Sequence, residues 1–152
     1  TISNNYLFNE NKFIGNENIQ ILKFQVKPLL GNILTISSGV KILISFKNFI
    51  KKENIDISYI LKNIEEVELL AEGIDIVKDK NSQDKIYNIE FSFPPNLLNE
   101  GNYYFKFIFG KNNEELLFEY DKLGFEIEAE SMNGKFQRNP GVLRPKLDYK
   151  IY

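Results

Sequence analysis

The sequence predicts an all-β domain, specifically an immunoglobulin-like antiparallel β-sandwich. Seven or more short runs alternate apolar and polar residues with the two-residue period of a half-buried strand. Turn signals separate these runs at regular spacing, as they do in sandwiches. The chain also contains 13 Phe and 8 Tyr among 152 residues, and aromatic side chains suit the pleated surface of a sheet.

The N-terminal residues 1–18 are rich in Asn and show no clear period, so we expect a tether with one short strand around Asn5 to Phe8. The sandwich is expected to span residues 19–152. Its first strand begins at Ile19 and ends at Pro28, which cannot donate to a ladder. Its predicted inward side chains are Leu22, Phe24 and Val26.

The middle of the chain predicts three more strands. The first two have clear inward faces, formed by Val40, Ile42, Ile44 and Phe46 and by Ile55, Ile57, Tyr59 and Leu61. Val67 and Leu69 predict a short return strand. Residues 60–70 also fit a short amphipathic helix, but their β-branched content favours a strand. The segment Gly73 to Lys85 is predicted as a loop with an extended piece at Ile74 to Val77.

The last part of the chain predicts three strands and an extended tail. The inward residues are Tyr87, Ile89, Phe91 and Phe93, then Tyr103, Phe105, Phe107 and Phe109, then Leu123, Phe125, Ile127 and Ala129. The tail from Gly141 to Tyr152 is expected to form an extended C-terminal strand. Leu97, Gly101 and Tyr103 have the spacing of a tyrosine corner, in which the Tyr hydroxyl bonds to nearby backbone.

Composition argues against several function classes. The net charge of -2 comes from interspersed signs, so no basic patch indicates nucleic acid as a partner. With no His and no Cys, the usual general base, nucleophile partner and zinc ligands are missing. We therefore expect no catalytic site and no cofactor. The acids Glu126, Glu128 and Glu130 alternate on one strand as on a solvated face.

One polar loop partly resembles a calcium site. Asp79, Asn81 and Asp84 have calcium-like spacing, but the fixed Gly and the distant bidentate Glu of a calcium loop are not in place. The loop is therefore expected to be a solvated hairpin loop, and no metal is assigned.

The candidate binding residues lie on the outward face of two predicted strands. If Phe105, Phe107 and Phe109 face the core, then Tyr104, Lys106 and Ile108 face outward; the neighbouring strand adds Ile60 and Lys62. Tyr combines an apolar ring with a polar hydroxyl, and an exposed apolar cluster often marks a contact surface. Such a platform suits a sugar ring, with Lys donating to hydroxyls. The alternative is that the tether or a partner chain covers this face.

The order of motifs resembles the C-terminal domains of Wzt-type ATPase subunits of O-antigen ABC transporters. The resemblance covers residues 19–152. Its motifs are the Ser38-Gly39 turn before the strand at Val40, the segment from Phe91-Ser92-Phe93-Pro94 through Leu97, Leu98, Gly101 and Tyr103, the pair Tyr120-Asp121 before Phe125-Glu126-Ile127, and the closing Gly141-Val142-Leu143-Arg144-Pro145 followed by Tyr149. The region from Asn63 to Lys85 departs from the family pattern.

The resemblance implies a function. Such domains bind the finished end of a polysaccharide without catalysis and so select the polymer that the transporter exports. They form homodimers by exchanging a C-terminal strand, here Gly141 to Tyr152, and work with a membrane permease subunit. The chain would then be cytoplasmic and peripheral to the inner membrane, and because it begins at Thr1 we expect an ATPase domain before it.

Two other functions stay open at this point. One is an immunoglobulin-like structural module that binds protein through an exposed edge or the Tyr104 face. The other is an accessory domain of a sugar-processing enzyme. The gene segment upstream of Thr1 distinguishes the three, because a Walker-type ATPase directly upstream favours polysaccharide export and a sugar-processing enzyme favours the accessory domain.

Overall fold

The structure is a computed structural model that describes residues 13–130 and 147–152. Within these residues the chain forms two sheets of antiparallel strands, in the orders β1-β2-β3-β6-β9 and β5-β4-β7-β8. The strands are β1 Ile14–Gly15, β2 Ile19–Pro28, β3 Val40–Asn48, β4 Ile55–Asn63, β5 Glu68–Val77, β6 Lys85–Phe93, β7 Gly101–Lys111, β8 Glu115–Ile127 and β9 Tyr149–Ile151. No helix in the described part of the chain is long and apolar enough to cross a membrane.

The predicted sandwich is confirmed. From β1 to β8 the chain crosses between the sheets after β3, after β5 and after β6, and β9 belongs to the first sheet again. The order of crossings up to β8 is that of an immunoglobulin-like sandwich. Four of the predicted runs place every inward residue in the core. These are the runs on β3, β4, β6 and β7. Their alternation fixes the opposite residues on the outer faces, which is where the candidate site lies.

An aromatic cluster fills the centre of the core. The ring of Phe105 is fully buried and has its centroid 5.1–6.4 Å from the rings of Phe24, Tyr59, Phe91, Phe93, Phe107 and Phe125. Pairs at these distances contribute about 0.5–1.5 kcal/mol beyond their buried area. The inner face of β7 is therefore rigid, and it holds the outer face of the same strand in place.

The inward position of Leu22 was predicted wrongly. Ile19, Ile21, Phe24 and Val26 are buried, and Leu22 is half-buried. The register of β2 against β3 shifts between Ile21 and Lys23, and such a bulge places one extra residue in the strand. The alternation therefore changes phase at this point.

The return strand at Val67 and Leu69 was also wrong in length and phase. β5 runs from Glu68 to Val77, with Leu70 and Ile74 buried and Val67 48% exposed. The extended piece at Ile74 to Val77 belongs to this strand, so the loop begins only at Lys78. The alternative helix over residues 60–70 does not form.

The strand at Leu123 begins much earlier than predicted. β8 starts at Glu115, and two register shifts against β7 interrupt its alternation. Leu123, Phe125 and Ile127 are buried as predicted, but Ala129 lies beyond the strand and is exposed. Because the bulges interrupt the alternation, a search for strict period-two patterns does not detect the first part of this strand.

The ends of the chain are described only in part. Ile14 is buried in the core and pairs with Ile21, so residues 14 and 15 pack with the sandwich although they fall in the range predicted as a tether. The expected strand at Asn5 to Phe8 lies outside the described residues. Residues 131–146, which include the first six residues of the predicted tail, also lie outside them. At the other end, β9 pairs with β6 in the same chain.

The predicted tyrosine corner is confirmed. Tyr103 is 5% exposed and its hydroxyl donates a 2.7 Å hydrogen bond to the backbone oxygen of Asn99. Burial raises the pKa of Tyr103 from 10.0 to about 12. Burial raises the pKa of Tyr59 and Tyr149 as well.

Replacing Tyr103 with Phe is expected to lower the free energy of unfolding by about 1–2 kcal/mol at pH 7, because Asn99 loses its buried donor. In the wild type the unfolded chain ionises near pH 10.0 and folded Tyr103 only near 12. Stability is therefore retained below about pH 10 and declines as the pH rises towards 12. Urea unfolding between pH 8 and 11 should show a shallower alkaline decline for Tyr103→Phe. An equally steep decline would contradict this assignment.

Candidate functional site

The five predicted binding residues lie on one outer face, that of the sheet β5-β4-β7-β8. Lys62 of β4 is directly opposite Tyr104 of β7, and Ile60 is directly opposite Lys106. Ile108 is opposite Ser58 on the same face. Directly opposed residues in an antiparallel pair have Cβ atoms about 4.5–5.5 Å apart. The structure therefore brings these side chains together as neighbours, and all five residues are half-buried.

A groove of about 390 Å³ crosses one end of this face. Its lining includes Lys62, Tyr104 and Lys106, and we call it the Tyr104 groove. Ile60 and Ile108 lie on the same face but outside the groove. Its volume is within the range of roughly 300–1,000 Å³ that is usual for small-molecule sites.

Tyr104 lies over Gly124 of β8, its direct partner in the register. A Cβ atom at Gly124 would be 2.9 Å from Cδ1 and 3.0 Å from Cε1 of the Tyr104 ring. Gly124 is buried beneath this ring although it faces outward. Covering a strand glycine with a cross-strand aromatic ring stabilises a sheet. The absence of a side chain at Gly124 therefore leaves room for the Tyr104 ring to pack against β8.

The first wall of the groove is the turn between β4 and β5. Asn63 organises this turn, because its Oδ1 accepts hydrogen bonds from the backbone N–H groups of Glu65 and Val67, at 2.9 and 3.0 Å. Ile64 and Glu66 project from the turn into the groove lining. An Asn that bonds its own backbone a few residues on is a recognisable turn signal, but the sequence prediction missed these wall residues.

The second wall is a bulge in β8. The register passes from Phe105↔Leu123 to Phe107↔Tyr120, so β8 has one residue more than β7 in this interval. Asp121 and Lys122 therefore project into the groove lining. Sequence reasoning missed both residues because the bulge is set by pairing with β7 and leaves no local pattern.

The groove has a mixed charge. Lys106 lies 3.8 Å from the carboxylate of Glu119, an exposed contact of little energetic value. Lys62 and Lys122 make no ion pair with any described residue, so their ammonium groups are available to a ligand. At the opposite end of the face, burial raises the pKa of Asp56, which stands directly opposite Asp75. The groove end is thus the more basic end of the face.

The arrangement provides donors, acceptors and one aromatic ring. Lys offers three N–H donors, and the Asp121 carboxylate offers acceptors. Among the described residues, no group of three or more acidic side chains converges as metal ligands would. These groups can bind a ligand that has many hydroxyls.

Replacing Gly124 with Ala is expected to lower the free energy of unfolding by about 1–3 kcal/mol, because the new Cβ overlaps the Tyr104 ring and also meets the Tyr103 backbone oxygen at 3.1 Å. Gly73→Ala is the matched control on the same face, since its Cβ would meet only Ser58 Oγ at 3.8 Å. Urea unfolding measures both variants. Equal stability of the two would show that the ring does not depend on Gly124.

Comparison with known proteins gives a likeness in fold. The sequence matches no protein-family model, and no curated protein matches it. The solved structure of the C-terminal domain of Wzt superposes with a TM-score of 0.56 at 12% identity, over 89% of this chain and 86% of that chain. A Niemann-Pick type C2 protein from Japanese carpenter ant reaches a TM-score of 0.49 at 10% identity, over 78% and 98%, and is too distant to bear on function. The resemblance indicated by the sequence is therefore confirmed for the fold: this chain is built like the C-terminal domain of Wzt.

Proposed function

We propose that this chain is a non-catalytic carbohydrate-binding domain and that the Tyr104 groove is its binding site. The observation that carries the proposal is the placement of Tyr104 over Gly124, directly opposite Lys62. A ring held down on a strand presents a platform for the apolar C–H face of a sugar. The lysines beside it donate to hydroxyl groups, and Asp121 accepts from them.

Binding without catalysis fits the chemistry of the chain. With no His and no Cys in the sequence, acid–base or nucleophilic work would depend on carboxylates, lysines and tyrosines. The groove combines an aromatic surface with a few polar groups, which is the usual composition of a recognition site.

The proposed ligand is an O-antigen polysaccharide, recognised at its finished end, so that the domain selects the polymer for an ABC exporter. This part of the proposal rests on the fold shared with the Wzt C-terminal domain and on the ordered motifs in the sequence. The remaining partners would be an ATPase domain and a membrane permease subunit. The chain would then act in the cytoplasm, at the inner membrane, through the transporter complex.

Dimerisation by exchange of the C-terminal strand is part of the same proposal. β9 is only three residues long and lies at the edge of its sheet, paired with β6 from Ile89 to Phe91. Its main side-chain anchor is Tyr149, whose hydroxyl lies 2.8 Å from that of Tyr59. A partner's β9 would find the same edge and the same hydroxyl. Two linked sites would raise a modest affinity per sugar through multivalency.

Isothermal titration with the O-polysaccharide of the source organism tests the binding proposal. We expect saturable binding by polymer with an intact non-reducing end, and binding at least about tenfold weaker, or ~1.4 kcal/mol, after that end is removed. Dextran serves as the unrelated control. Equal binding of dextran and O-polysaccharide would contradict selective recognition, and no heat at millimolar polymer would contradict carbohydrate binding altogether.

Size-exclusion chromatography with light scattering tests the dimer. We expect twice the mass of the 17.8 kDa chain and a shift towards monomer for Tyr149→Ala, which removes the anchor of β9. A strict monomer for the wild-type chain would contradict the exchange.

A further inference from the structure

A second groove lies at the opposite end of β4 from the Tyr104 groove, between the loop before β4 and the loop after β5. It has a volume of about 490 Å³, and its lining includes Lys51, Lys52 and Lys80. We call it the lysine groove. The three lysines make no ion pair with any described residue. No salt bridge within the described part of the chain therefore occupies these ammonium groups.

The carboxylate in the groove lining does not cancel these charges. Asp84 lies 2.7 Å from the ammonium group of Lys47, which is outside the lining. The hydrogen bond from Lys47 is the main cause that lowers the pKa of Asp84, and the charge of Lys51 contributes. Because Lys47 already neutralises Asp84, the groove keeps a positive excess from the three lysines.

Buried polar side chains tie the two loops of the groove together. Asn48 is fully buried and donates to the backbone oxygens of Ile50 and Gln83, at 2.8 and 2.9 Å. Ser82 is 3% exposed, donates to the Ile50 oxygen at 2.6 Å and accepts from the Glu53 N–H at 2.9 Å. Buried and satisfied polar networks rigidify their surroundings. The lysines therefore project from a fixed frame.

Two of the lysines also have an unfavourable backbone conformation. Lys52 has a φ of 58° and Lys80 a φ of 51°, in the left-handed region that Gly and Asn adopt far more easily. The Lys80 N–H donates to Asn54 Oδ1 at 2.6 Å, which helps to hold this conformation. Strained residues of this kind cluster at binding sites, where the surrounding structure holds them.

We propose that the lysine groove binds a phosphate group. Ammonium groups are strong donors to phosphate oxygens, and three lysines that line this groove form no salt bridge with a described residue. A soluble phosphoester and an anionic lipid headgroup both offer this chemistry. The site is independent of the carbohydrate proposal, because its residues lie at the other end of the sandwich and share none with the Tyr104 groove.

Phosphate titration of the full chain, followed by ¹H–¹⁵N NMR, tests the proposal against sodium chloride at equal ionic strength. We expect saturable shifts at the amides of Lys52, Lys80 and Ser82 with phosphate and not with chloride. The double variant Lys52→Asn/Lys80→Asn should bind at least tenfold more weakly. It should also unfold at the wild-type temperature or a few degrees higher, because Asn tolerates the left-handed conformation.

Lys78→Asn is the matched control, since Lys78 is a neighbouring lysine paired with Asp75 outside the groove; it should bind phosphate like the wild type. Co-sedimentation with phosphatidylglycerol vesicles, against phosphatidylcholine vesicles, identifies the source. Vesicle binding that requires Lys52 and Lys80 assigns a lipid headgroup, and its absence assigns a soluble phosphoester. No saturable response to phosphate, or an undiminished response in the double variant, would overturn the proposal.

Discussion

Phe105→Ala is expected to lower the free energy of unfolding by about 3–5 kcal/mol, the usual cost of deleting a fully buried aromatic ring. The ring contacts six other aromatic rings from both sheets, so the cavity left behind cannot close without moving several of them. A loss of this size is a large part of the total stability of a single domain. Equilibrium urea unfolding, monitored by circular dichroism, gives the difference.

Two control variants accompany Phe105→Ala, one at the same residue and one at an exposed ring. Phe105→Leu retains most of the volume and should cost less than about half as much, and it provides a folded reference if the alanine variant does not fold. Phe49→Ala, at a ring that is 39% exposed, should change stability by less than about 1 kcal/mol. A Phe105→Ala protein as stable as Phe49→Ala would show that the two sheets do not pack around Phe105.

Tyr104→Ala is expected to weaken carbohydrate binding at least about tenfold, or ~1.4 kcal/mol. The variant removes the platform of the proposed site, on which the apolar face of a sugar would lie. Stability should fall by only about 1 kcal/mol, because the lost cross-strand contact with Gly124 lies on the outer face. Titration calorimetry measures the affinity.

A conservative substitution at Tyr104 and a substitution on the other sheet distinguish the loss of the Tyr104 platform from a general effect on the domain. Tyr104→Phe keeps the ring over Gly124 and should retain affinity within about threefold, a difference of ~0.7 kcal/mol. Ile86→Ala, at an exposed residue of the other sheet, should bind like the wild type. If Tyr104→Ala binds as tightly as Ile86→Ala, the ring of Tyr104 is not part of the site.

The fold could be predicted where strands alternate without interruption. The runs on β3, β4, β6 and β7 are regular over their whole length, so period two alone identifies their inward residues. The prediction failed at Leu22, at Val67 and at the start of β8, and each failure coincides with a bulge or register shift. Bulges depend on the partner strand, which a single sequence does not identify.

The candidate site could be predicted only in part, for the same physical reason. The outward residues Lys62, Tyr104 and Lys106 follow from alternation along their own strands. The support from Gly124 and the walls at Ile64 and Lys122 depend on how β7 pairs with β8 and how β4 turns into β5. These contacts require the register between strands, and they became visible only in the structure.

Strain and burial in the loops were likewise beyond the sequence prediction. The segment that contains Asp79 and Asp84 was predicted as a solvated loop, and its acids were considered as metal ligands. In the structure this loop instead lies beside a groove that is lined by Lys51, Lys52 and Lys80. Their placement in one groove depends on Asn48 and Ser82, which connect loops about 30 residues apart in sequence.

In the proposed function, the outer face of the β5-β4-β7-β8 sheet holds the carbohydrate. The most direct test is an NMR titration of the ¹⁵N-labelled chain with O-polysaccharide, which reports where the polymer contacts the domain. We predict that the shifts concentrate at Lys62, Tyr104, Lys122 and Gly124. No shifts at millimolar polymer, or shifts confined to Ser45 and Asn88 on the outer face of the other sheet, would contradict the claim.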